Sequence, residues 1–391
     1  MPDFKPSKRS ILLEALVKLL LPVVFACRHR DLKLMVAPET WQTLNELQDS
    51  PVLICPNHPR HEDGEILFWL STISPQRFEI LAARELFERY FGLNGLILQR
   101  LGCYSIKRGA HDLEAMRFTE RLLTSSPAKV VVFPEGEISY NSDIVNPLEP
   151  GAIYMGMEAC LQFQHQQAQA HLFILPLAIS YHYQSDVSAA CQTTVARLEQ
   201  HFGLLQGEIN LRRRTRRIAE DLIAQLEEQI NIKECKEFDR RVCKVVDANI
   251  EACAKQLHCE LPDESTIRQI HYLQARILEM KRHASGKERK RLTQLEVETL
   301  EWIRLHSLSE SRFSRQATPE SFAEALSILE RLVTGKEQSK GPQLAILSAC
   351  TPIDLVRYVD DYQQNQNGTV QLISKMLWSR LQERVARLRS G

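Results

Sequence analysis

Between residues 51 and 179, short apolar runs alternate with segments in which apolar residues recur at helical spacing. The first run extends from Pro51 to Cys55, is bounded by prolines and is β-branched at Val52 and Ile54, which is typical of a buried strand. Strands separated by helices favour a largely parallel sheet with helices on both faces. The sequence therefore predicts an α/β fold for this part of the chain.

The carboxyl-terminal half has a different character. After about residue 190, proline is rare, Leu, Ile, Glu, Arg and Gln dominate, and no strand-like run stands out. Amphipathic helical patterns cover residues 217–232, 234–257, 264–282, 289–306, 319–333 and 369–389. We therefore expect an all-α carboxyl-terminal extension, in which no catalytic group of residues is evident.

Asn57-His58 and Asp63 directly follow the first strand-like run. Open α/β sheets place their sites at the carboxyl ends of strands. A carboxylate about one helical turn after a histidine can fix the ring tautomer while the other ring nitrogen takes a proton from a hydroxyl. The pair predicts a general base. Two other interpretations are open: Asp63 caps a helix while His58 packs, or His61 and Glu62 join the pair as metal ligands.

Two further segments carry polar groups at strand ends. The β-branched run from Val130 to Phe133 leads into Glu135 and Gly136, where glycine permits a positive φ or close approach of the backbone to a ligand. Another run ends in Lys107 and Arg108. An arginine donates two parallel hydrogen bonds to a phosphate, and a lysine adds a point charge. Either segment alone is also compatible with an ordinary strand and turn.

In this order and spacing, the segments resemble the motifs of the glycerolipid acyltransferase family, whose best-known members are 1-acylglycerol-3-phosphate acyltransferases. The family carries Asn-His-x4-Asp, Gly-x-x-x-Ile-x-Arg, Phe-Pro-Glu-Gly-Thr-Arg-Ser and a proline-centred apolar strand. The matching residues are Asn57, His58 and Asp63; Gly102, Ile106 and Arg108; Phe133, Pro134, Glu135, Gly136 and Ser139; and the run from Ile174 to Ile179. The resemblance covers roughly residues 30–185.

The resemblance implies the fold of that family and acyl transfer to the hydroxyl of a glycerolipid, with 1-acylglycerol-3-phosphate giving phosphatidic acid as the default reaction. It implies that His58 is the general base and Asp63 its orienting partner. Residues implied in acceptor binding are Lys107, Arg108, Glu135 and Gly136. The donor is an acyl thioester of coenzyme A or acyl carrier protein. Because a thioester is already activated, no metal and no organic cofactor is implied.

Two positions depart from the family pattern. Glu137-Ile138 stands where the family has Thr-Arg, so an arginine that usually faces phosphate is missing. Arg60 replaces a small hydroxyl residue, and its cation could face the acceptor from another side or be exposed. The acceptor is therefore open between a phosphorylated lysolipid and another hydroxyl or amine. A catalytically silent lipid-binding or scaffolding protein is the alternative to an enzyme.

An apolar stretch occupies residues 11–27, with basic residues on both sides. It is near the lower length limit for a bilayer span, and Glu14, Lys18 and Pro22 interrupt it. An interfacial amphipathic helix fits best, with packing onto the protein's own core and a true span as alternatives. The expected parts are a membrane-associating helix over 1–30, an acyltransferase domain over 31–190 and a helical extension over 191–391.

Composition limits the partners. The net charge of zero gives no general attraction to nucleic acid, so none is expected as a partner. The sequence has ten scattered cysteines and no C-x-x-C pair, which indicates reduced thiols rather than disulfides or a zinc site. The arginine-rich segment 212–217 could contact anionic lipid or be a solvated face. We expect a peripheral or monotopic protein on the cytoplasmic face of a membrane, with a lysolipid and acyl-CoA or acyl carrier protein as partners.

Overall fold

The computed structural model describes residues 4–109, 112–125, 127–166, 171–204, 210–232 and 235–390. Contacts divide the chain into two compact units. The first unit lies within residues 1–107, 111–182 and 343–391. The second lies within residues 108–110 and 183–342, so it is an insertion in the sequence of the first.

The described residues form eight strands and fifteen α-helices. The strands are β1 Leu32–Val36, β2 Val52–Pro56, β3 Phe78–Ala83, β4 Cys103–Ile106, β5 Lys129–Val131, β6 Phe173–Tyr183, β7 Gln343–Ala349 and β8 Ile353–Asp354. The helices are α1 Ile11–Arg28, α2 Pro38–Glu46, α3 Asp63–Ile73, α4 Arg84–Glu88, α5 Leu93–Arg100, α6 Leu113–Ser125, α7 Gly151–Gln166, α8 Ser188–Phe202, α9 Leu211–Gln229, α10 Phe238–Gln256, α11 Thr266–His283, α12 Gly286–His306, α13 Pro319–Thr334, α14 Val359–Gln364 and α15 Gln366–Ser390.

A mixed, mostly parallel sheet forms the centre of the first unit. Its strand order is β1-β7-β6-β2-β5-β3-β4, and β8 pairs with β6. Strand β2 is parallel to β5 and β6, β3 is parallel to β4 and β5, and β1 is parallel to β7. Strand β8 is antiparallel to β6. The α/β class expected from the sequence is therefore confirmed.

The expectation that residues 191–391 are entirely helical is wrong over residues 343–354, which supply β7 and β8. Cys350 donates its N–H to Pro176 O at 2.9 Å, and Gln184 donates to Pro342 O at 2.9 Å, so β7 runs antiparallel to β6. A short apolar run cannot be assigned to strand or helix by periodicity alone. Residues 343–391 group with the first unit, and the start of β7 lies at the carboxyl end of β6.

Both faces of the sheet are covered. On one face, side chains of β2, β5 and β6 pack against α6, α7 and α15; on the other, they pack against α2, α3 and α4. Strand β2 is buried along its whole length, as expected for a strand with helices on both sides. Because β2 lies between β5 and β6, the residues that follow it emerge at the centre of the sheet's carboxyl edge.

The second unit contains helices α8 to α13. Its buried charges are paired: Arg241 Nη2 lies 2.7 Å from Glu227 Oε2, and Lys340 bonds to Glu330. In the arginine-rich segment 212–217, Arg214 bonds to Glu199 at 2.5 Å and Arg212 donates to the carbonyls of Ser314 and Ala317. Several cations of segment 212–217 thus bind groups within the second unit. This weakens the interpretation of the segment as a lipid-binding face.

Candidate active site

Asn57 holds the chain where it leaves β2. Its Nδ2 donates to Ile179 O at 3.0 Å, and Ile179 N donates to Asn57 Oδ1 at 2.7 Å. The buried carboxamide thus continues the strand pairing between β2 and β6 beyond the last backbone pair. As a result, the position at which His58 leaves the sheet is fixed by two hydrogen bonds.

His58 and Asp63 form the pair that the sequence predicted. His58 Nδ1 lies 2.8 Å from Asp63 Oδ2, and the Asp63 side chain is 0% exposed at the start of α3. Because the carboxylate accepts from Nδ1, the proton is assigned to that nitrogen and the lone pair to Nε2. The His58 side chain is 18% exposed, and no described residue makes a hydrogen bond to Nε2. This is the state that a general base requires.

Asp63 is fixed by two further donors. Arg60 N donates to Oδ2 at 2.7 Å, and the Tyr181 hydroxyl donates to Oδ1 at 2.5 Å. Burial, and then the charge of Asp63, raise the pKa of Tyr181 well above its usual value, so the phenol stays protonated as a donor. A carboxylate that accepts three hydrogen bonds has little freedom to rotate. Asp63 therefore holds the imidazole in one orientation.

The third motif supports His58 from another side. The ring of Phe133 stacks on the imidazole with 4.1 Å between centroids and 28° between planes. Ser139 N donates to His58 O at 2.8 Å. The segment after β5 thus contacts both the ring and the backbone of His58, so two motifs 75 residues apart in sequence form one site.

Glu135 bridges two backbone segments of this site. Its Oε1 accepts from His58 N at 2.6 Å, and its Oε2 accepts from Asn146 N at 3.0 Å. Burial raises the pKa of Glu135 to about 7, although the two backbone hydrogen bonds act in the opposite direction. Both oxygens are engaged, so this geometry favours a positioning role over the direct acceptor contact implied by the resemblance. Gly136 has φ +72° and forms the turn that follows.

Replacing Glu135 with glutamine is expected to remove part of the pH dependence of stability. A carboxyl group whose pKa rises from 4.5 to about 7 on folding favours the folded state while protonated. That contribution is present below pH 4.5 and lost as pH rises through 7, a change of about 3 kcal/mol. Urea unfolding between pH 4.5 and 8 should show this loss in the wild type and not in Glu135→Gln.

The matched control for this measurement is Glu46→Gln, which changes an exposed carboxylate on α2. Its free energy of unfolding should follow the wild type across the pH range. If Glu135→Gln and the wild type lose the same free energy of unfolding between pH 4.5 and 8, Glu135 is not the buried group that titrates near neutral pH.

The predicted acceptor cations occupy different places. Lys107 follows β4, and its N–H donates to Asp112 Oδ2 at 2.9 Å. Arg108 groups with the second unit, where its Nη2 donates to Gln274 Oε1 at 3.1 Å. Arg60 lies in the first unit, with its guanidinium 4.0 Å from the centroid of the Tyr181 ring. The first unit thus brings His58, Asp63, Arg60, Glu135 and Gly136 together.

The position of the missing family arginine is apolar and buried. Ile138 is buried, and its N–H is bonded to the side chain of Glu137 at 2.8 Å. The other departure from the family pattern, Arg60, donates from Nη1 to Gln343 Oε1 at 2.5 Å. The cation of Arg60 therefore lies next to the Asp63–Tyr181 hydrogen bond, at the carboxyl end of β6, rather than on an open surface.

Residues 37–180 match the family model described as Acyltransferase. This part of the chain is an acyltransferase domain. The match begins before β2 and ends within β6, so it includes His58, Asp63 and Glu135. No curated protein matches the chain. The resemblance to the glycerolipid acyltransferase family is therefore confirmed for the domain that contains the His58–Asp63 pair.

Two residues of the first unit that support the site were not predicted from the sequence, and both lie outside the matched residues 37–180. The Tyr181 hydroxyl donates to Asp63, and Gln343 of β7 accepts a hydrogen bond from Arg60. One signal was present: a tyrosine at the end of an apolar strand needs a partner for its hydroxyl. Gln343 lies 283 residues from Arg60, so no local pattern connects the two.

The alternative interpretation of the first motif as a metal site receives no support from geometry. Among the residues that the structure describes, no group of three or more His, Cys, Asp or Glu side chains could hold a metal ion. His61 Nε2 instead lies 2.8 Å from the Tyr140 hydroxyl. His61 and His58 of the acyltransferase domain therefore have separate partners.

Proposed function

We propose that this protein transfers a fatty acyl group from an acyl thioester to the hydroxyl of a glycerolipid, with His58 as the general base. The observation that supports this proposal is the hydrogen bond between His58 Nδ1 and the buried Asp63, which leaves Nε2 as the basic nitrogen inside an acyltransferase domain. The chemistry needs proton removal, positioning and oxyanion stabilisation. The chain supplies a candidate group for each.

In the proposed reaction, Nε2 of His58 takes the proton of the acceptor hydroxyl while the oxygen attacks the thioester carbonyl carbon. The carbonyl π bond opens to an oxyanion, and Asp63 stabilises the imidazolium. The intermediate then expels the thiolate, which takes up the proton held by His58. One C–O bond forms, one C–S bond breaks, and His58 returns to its starting state.

The amino-terminal end of α3 is our candidate for oxyanion stabilisation. The first amides of a helix lack intrahelical acceptors and carry partial positive charge. Helix α3 begins at Asp63, five residues after His58, and the carbonyl oxygen must lie near the base during attack. Loss of one donor from an oxyanion site typically costs about 10²–10³-fold in kcat, which is the size of the contribution proposed for this end of the helix.

For the acceptor, we propose 1-acylglycerol-3-phosphate, with phosphatidic acid as the product. The residues proposed to contribute are Arg108, Lys107 and Arg60 as cations and the Glu135-Gly136 turn as support for the loop. The buried Ile138 removes one family cation, so an uncharged hydroxyl acceptor is the second candidate. Proposed donors are acyl-CoA and acyl carrier protein thioesters, and neither reaction needs a further cofactor.

Release of free thiol tests the proposed function. The protein is supplied with acyl-CoA or acyl carrier protein thioester and a panel of phosphorylated and uncharged lysolipids. Acceptor-dependent release is expected, and absence of any release from folded protein would favour the silent lipid-binding alternative.

Arg108→Ala should raise KM for a phosphorylated acceptor about tenfold or more, since hydrogen bonds to charged groups contribute about 1.5–3 kcal/mol. An equal effect on uncharged acceptors would show that Arg108 does not contact phosphate.

We also propose that α1 attaches the protein to the cytoplasmic face of a membrane. No helix in the described part of the chain is long and apolar enough to cross a bilayer. Helix α1 nevertheless presents large apolar side chains to solvent, including Leu12 at 85% and Leu19 at 75% exposure. Basic side chains at both ends, such as Lys8 and Arg28, suit anionic headgroups. These features support an interfacial helix over one packed into the protein's own core.

Vesicle binding tests the attachment. Leu12→Glu/Leu19→Glu should lower partition into anionic vesicles more than 100-fold, because each buried leucine contributes about 2 kcal/mol. The matched control is Leu372→Glu, which changes a leucine of α15 that is 48% exposed. Equal partition of the double variant and the wild type would exclude α1 as the attachment site.

A further inference from the structure

The segment that follows the Glu135-Gly136 turn is irregular, and its first part is largely buried. Residues 141–149 contain no helix or strand, and Asn141, Ser142, Asp143 and Val145 are buried, whereas Ile144 is exposed. Buried backbone N–H and C=O groups must find hydrogen-bond partners. Within the described residues, many of the partners of this segment come from α15, more than 230 residues later in the sequence.

Gln382 and Trp378 of α15 bond to the backbone of this segment. Gln382 Oε1 accepts from Val145 N at 2.8 Å, and its Nε2 donates to Asp143 O at 3.3 Å. Trp378 Nε1 donates to Val145 O at 2.9 Å. Both backbone groups of Val145 are thus paired with α15 as they would be with a neighbouring strand.

Arg389 adds a charged contact to the same segment. Its Nη1 donates to Asp143 O at 2.9 Å, and its Nη2 lies 3.0 Å from Asp143 Oδ2. The spacing of residues 378, 382 and 389 places them on one side of the helix. One stripe of α15 therefore faces residues 143–145.

A neighbouring stripe anchors α15 in the hydrophobic core. Its members are spaced three and four residues apart and are almost fully buried: Val370, Ile373, Leu377, Leu381 and Val385. Burial of five such side chains fixes the helix against α7 and the sheet. The groups that contact residues 143–145 are thus held by a rigid element.

A continuous series of hydrogen bonds links α15 to the catalytic base. Gln382 holds Val145, and the next residue, Asn146, donates its N–H to Glu135 Oε2 at 3.0 Å. Glu135 Oε1 in turn accepts from His58 N at 2.6 Å. A shift of residues 143–146 would therefore change the support of the His58 backbone.

We infer that α15 is a positioning element of the acyltransferase site, in which Gln382 and Arg389 hold residues 143–146 so that Glu135 supports His58. The inference rests on the proposed function, because acyl transfer is the reaction that this alignment of His58 would serve. Neither residue touches the reacting atoms, so both are positioning residues. A displacement of about 1 Å in a catalytic group can cost about 100-fold in rate.

The test compares Gln382→Leu and Arg389→Ala with Arg387→Ala, an exposed arginine of the same helix end. Gln382→Leu should lower kcat about 10- to 100-fold with little change in KM for the acyl donor. Arg389→Ala should have a smaller effect in the same direction. Amide hydrogen exchange at residues 143–146 should become faster in both, while exchange in β2 and β5 stays as in the wild type. Arg387→Ala should match the wild type in every measurement.

The exchange measurement separates this inference from the proposed function. Amide exchange at residues 143–146 could be faster in the variants while no protein, the wild type included, transfers an acyl group. That result would contradict the proposed function but support the link from α15 to Glu135. Wild-type exchange and wild-type kcat in both Gln382→Leu and Arg389→Ala would overturn the inference. If Gln382→Leu fails to fold, Arg389→Ala and the conservative Arg389→Lys decide, because the lysine retains the ion pair with Asp143 and should restore kcat.

Discussion

Replacing His58 with alanine is expected to lower kcat for acyl transfer by about 10²–10⁴-fold, the usual contribution of a general base. The variant removes the only atom of the site proposed to take the acceptor's proton, while the backbone hydrogen bonds of residue 58 to Glu135 and Ser139 remain available. The fold should persist because the His58 ring is partly exposed. The initial rate of thiol release, with circular dichroism as a check of folding, measures this effect.

His171→Ala is a matched control for this variant. His171 Nδ1 lies 2.9 Å from Asp354 Oδ2, so it has the same kind of pair as His58. It is exposed and precedes the first residue of β6, at the end of that strand opposite to Ile179. His171→Ala should retain the wild-type rate. A rate for His58→Ala within threefold of the wild type would remove His58 from the mechanism.

Replacing Asp63 with asparagine is expected to lower kcat by on the order of 10²–10⁴-fold, as for the carboxylate of a catalytic triad. The amide keeps the shape of Asp63 but loses its negative charge, so the imidazolium formed in the proposed reaction is less stabilised. Three donors now face a side chain with one acceptor oxygen: His58 Nδ1, Arg60 N and the Tyr181 hydroxyl. In one amide orientation, the NH₂ group also forces the proton of His58 onto Nε2, which abolishes the base.

The same acyl-transfer assay, combined with thermal unfolding, separates chemistry from stability. Asp354→Asn is the control, because it changes the partner of His171 in the same way. A large loss of kcat with a small change in Tm supports the orienting role. If Asp63→Asn unfolds at a much lower temperature but retains kcat when folded, Asp63 serves only the packing of α3.

The local parts of the site could be predicted from the sequence. Strand β2 is buried on both faces, so its residues form a continuous apolar run, and prolines mark its limits. His58 and Asp63 are five residues apart, and a strand followed by a helix brings them together without any distant contact. The Glu135-Gly136 turn could also be predicted, because the strand and the glycine that define it are adjacent in the sequence.

The long-range parts could not be predicted. Tyr181 reaches Asp63 from 118 residues away, and Gln382 reaches Val145 from 237 residues away. Strand β7 is a seven-residue run that follows a long helical stretch, and its place beside β6 depends on pairing rather than on its own pattern. The role of Glu135 depended on which backbone amides surround it, and a motif does not contain that information.

The pairing of β1 with β7 has a consequence for biosynthesis. Strand β1 lies at one edge of the sheet, and its neighbour is β7. All of residues 37–342 leave the ribosome between the two. The nascent protein therefore carries an unsatisfied strand for most of its translation, which is a hazard for aggregation and a reason to expect help from chaperones.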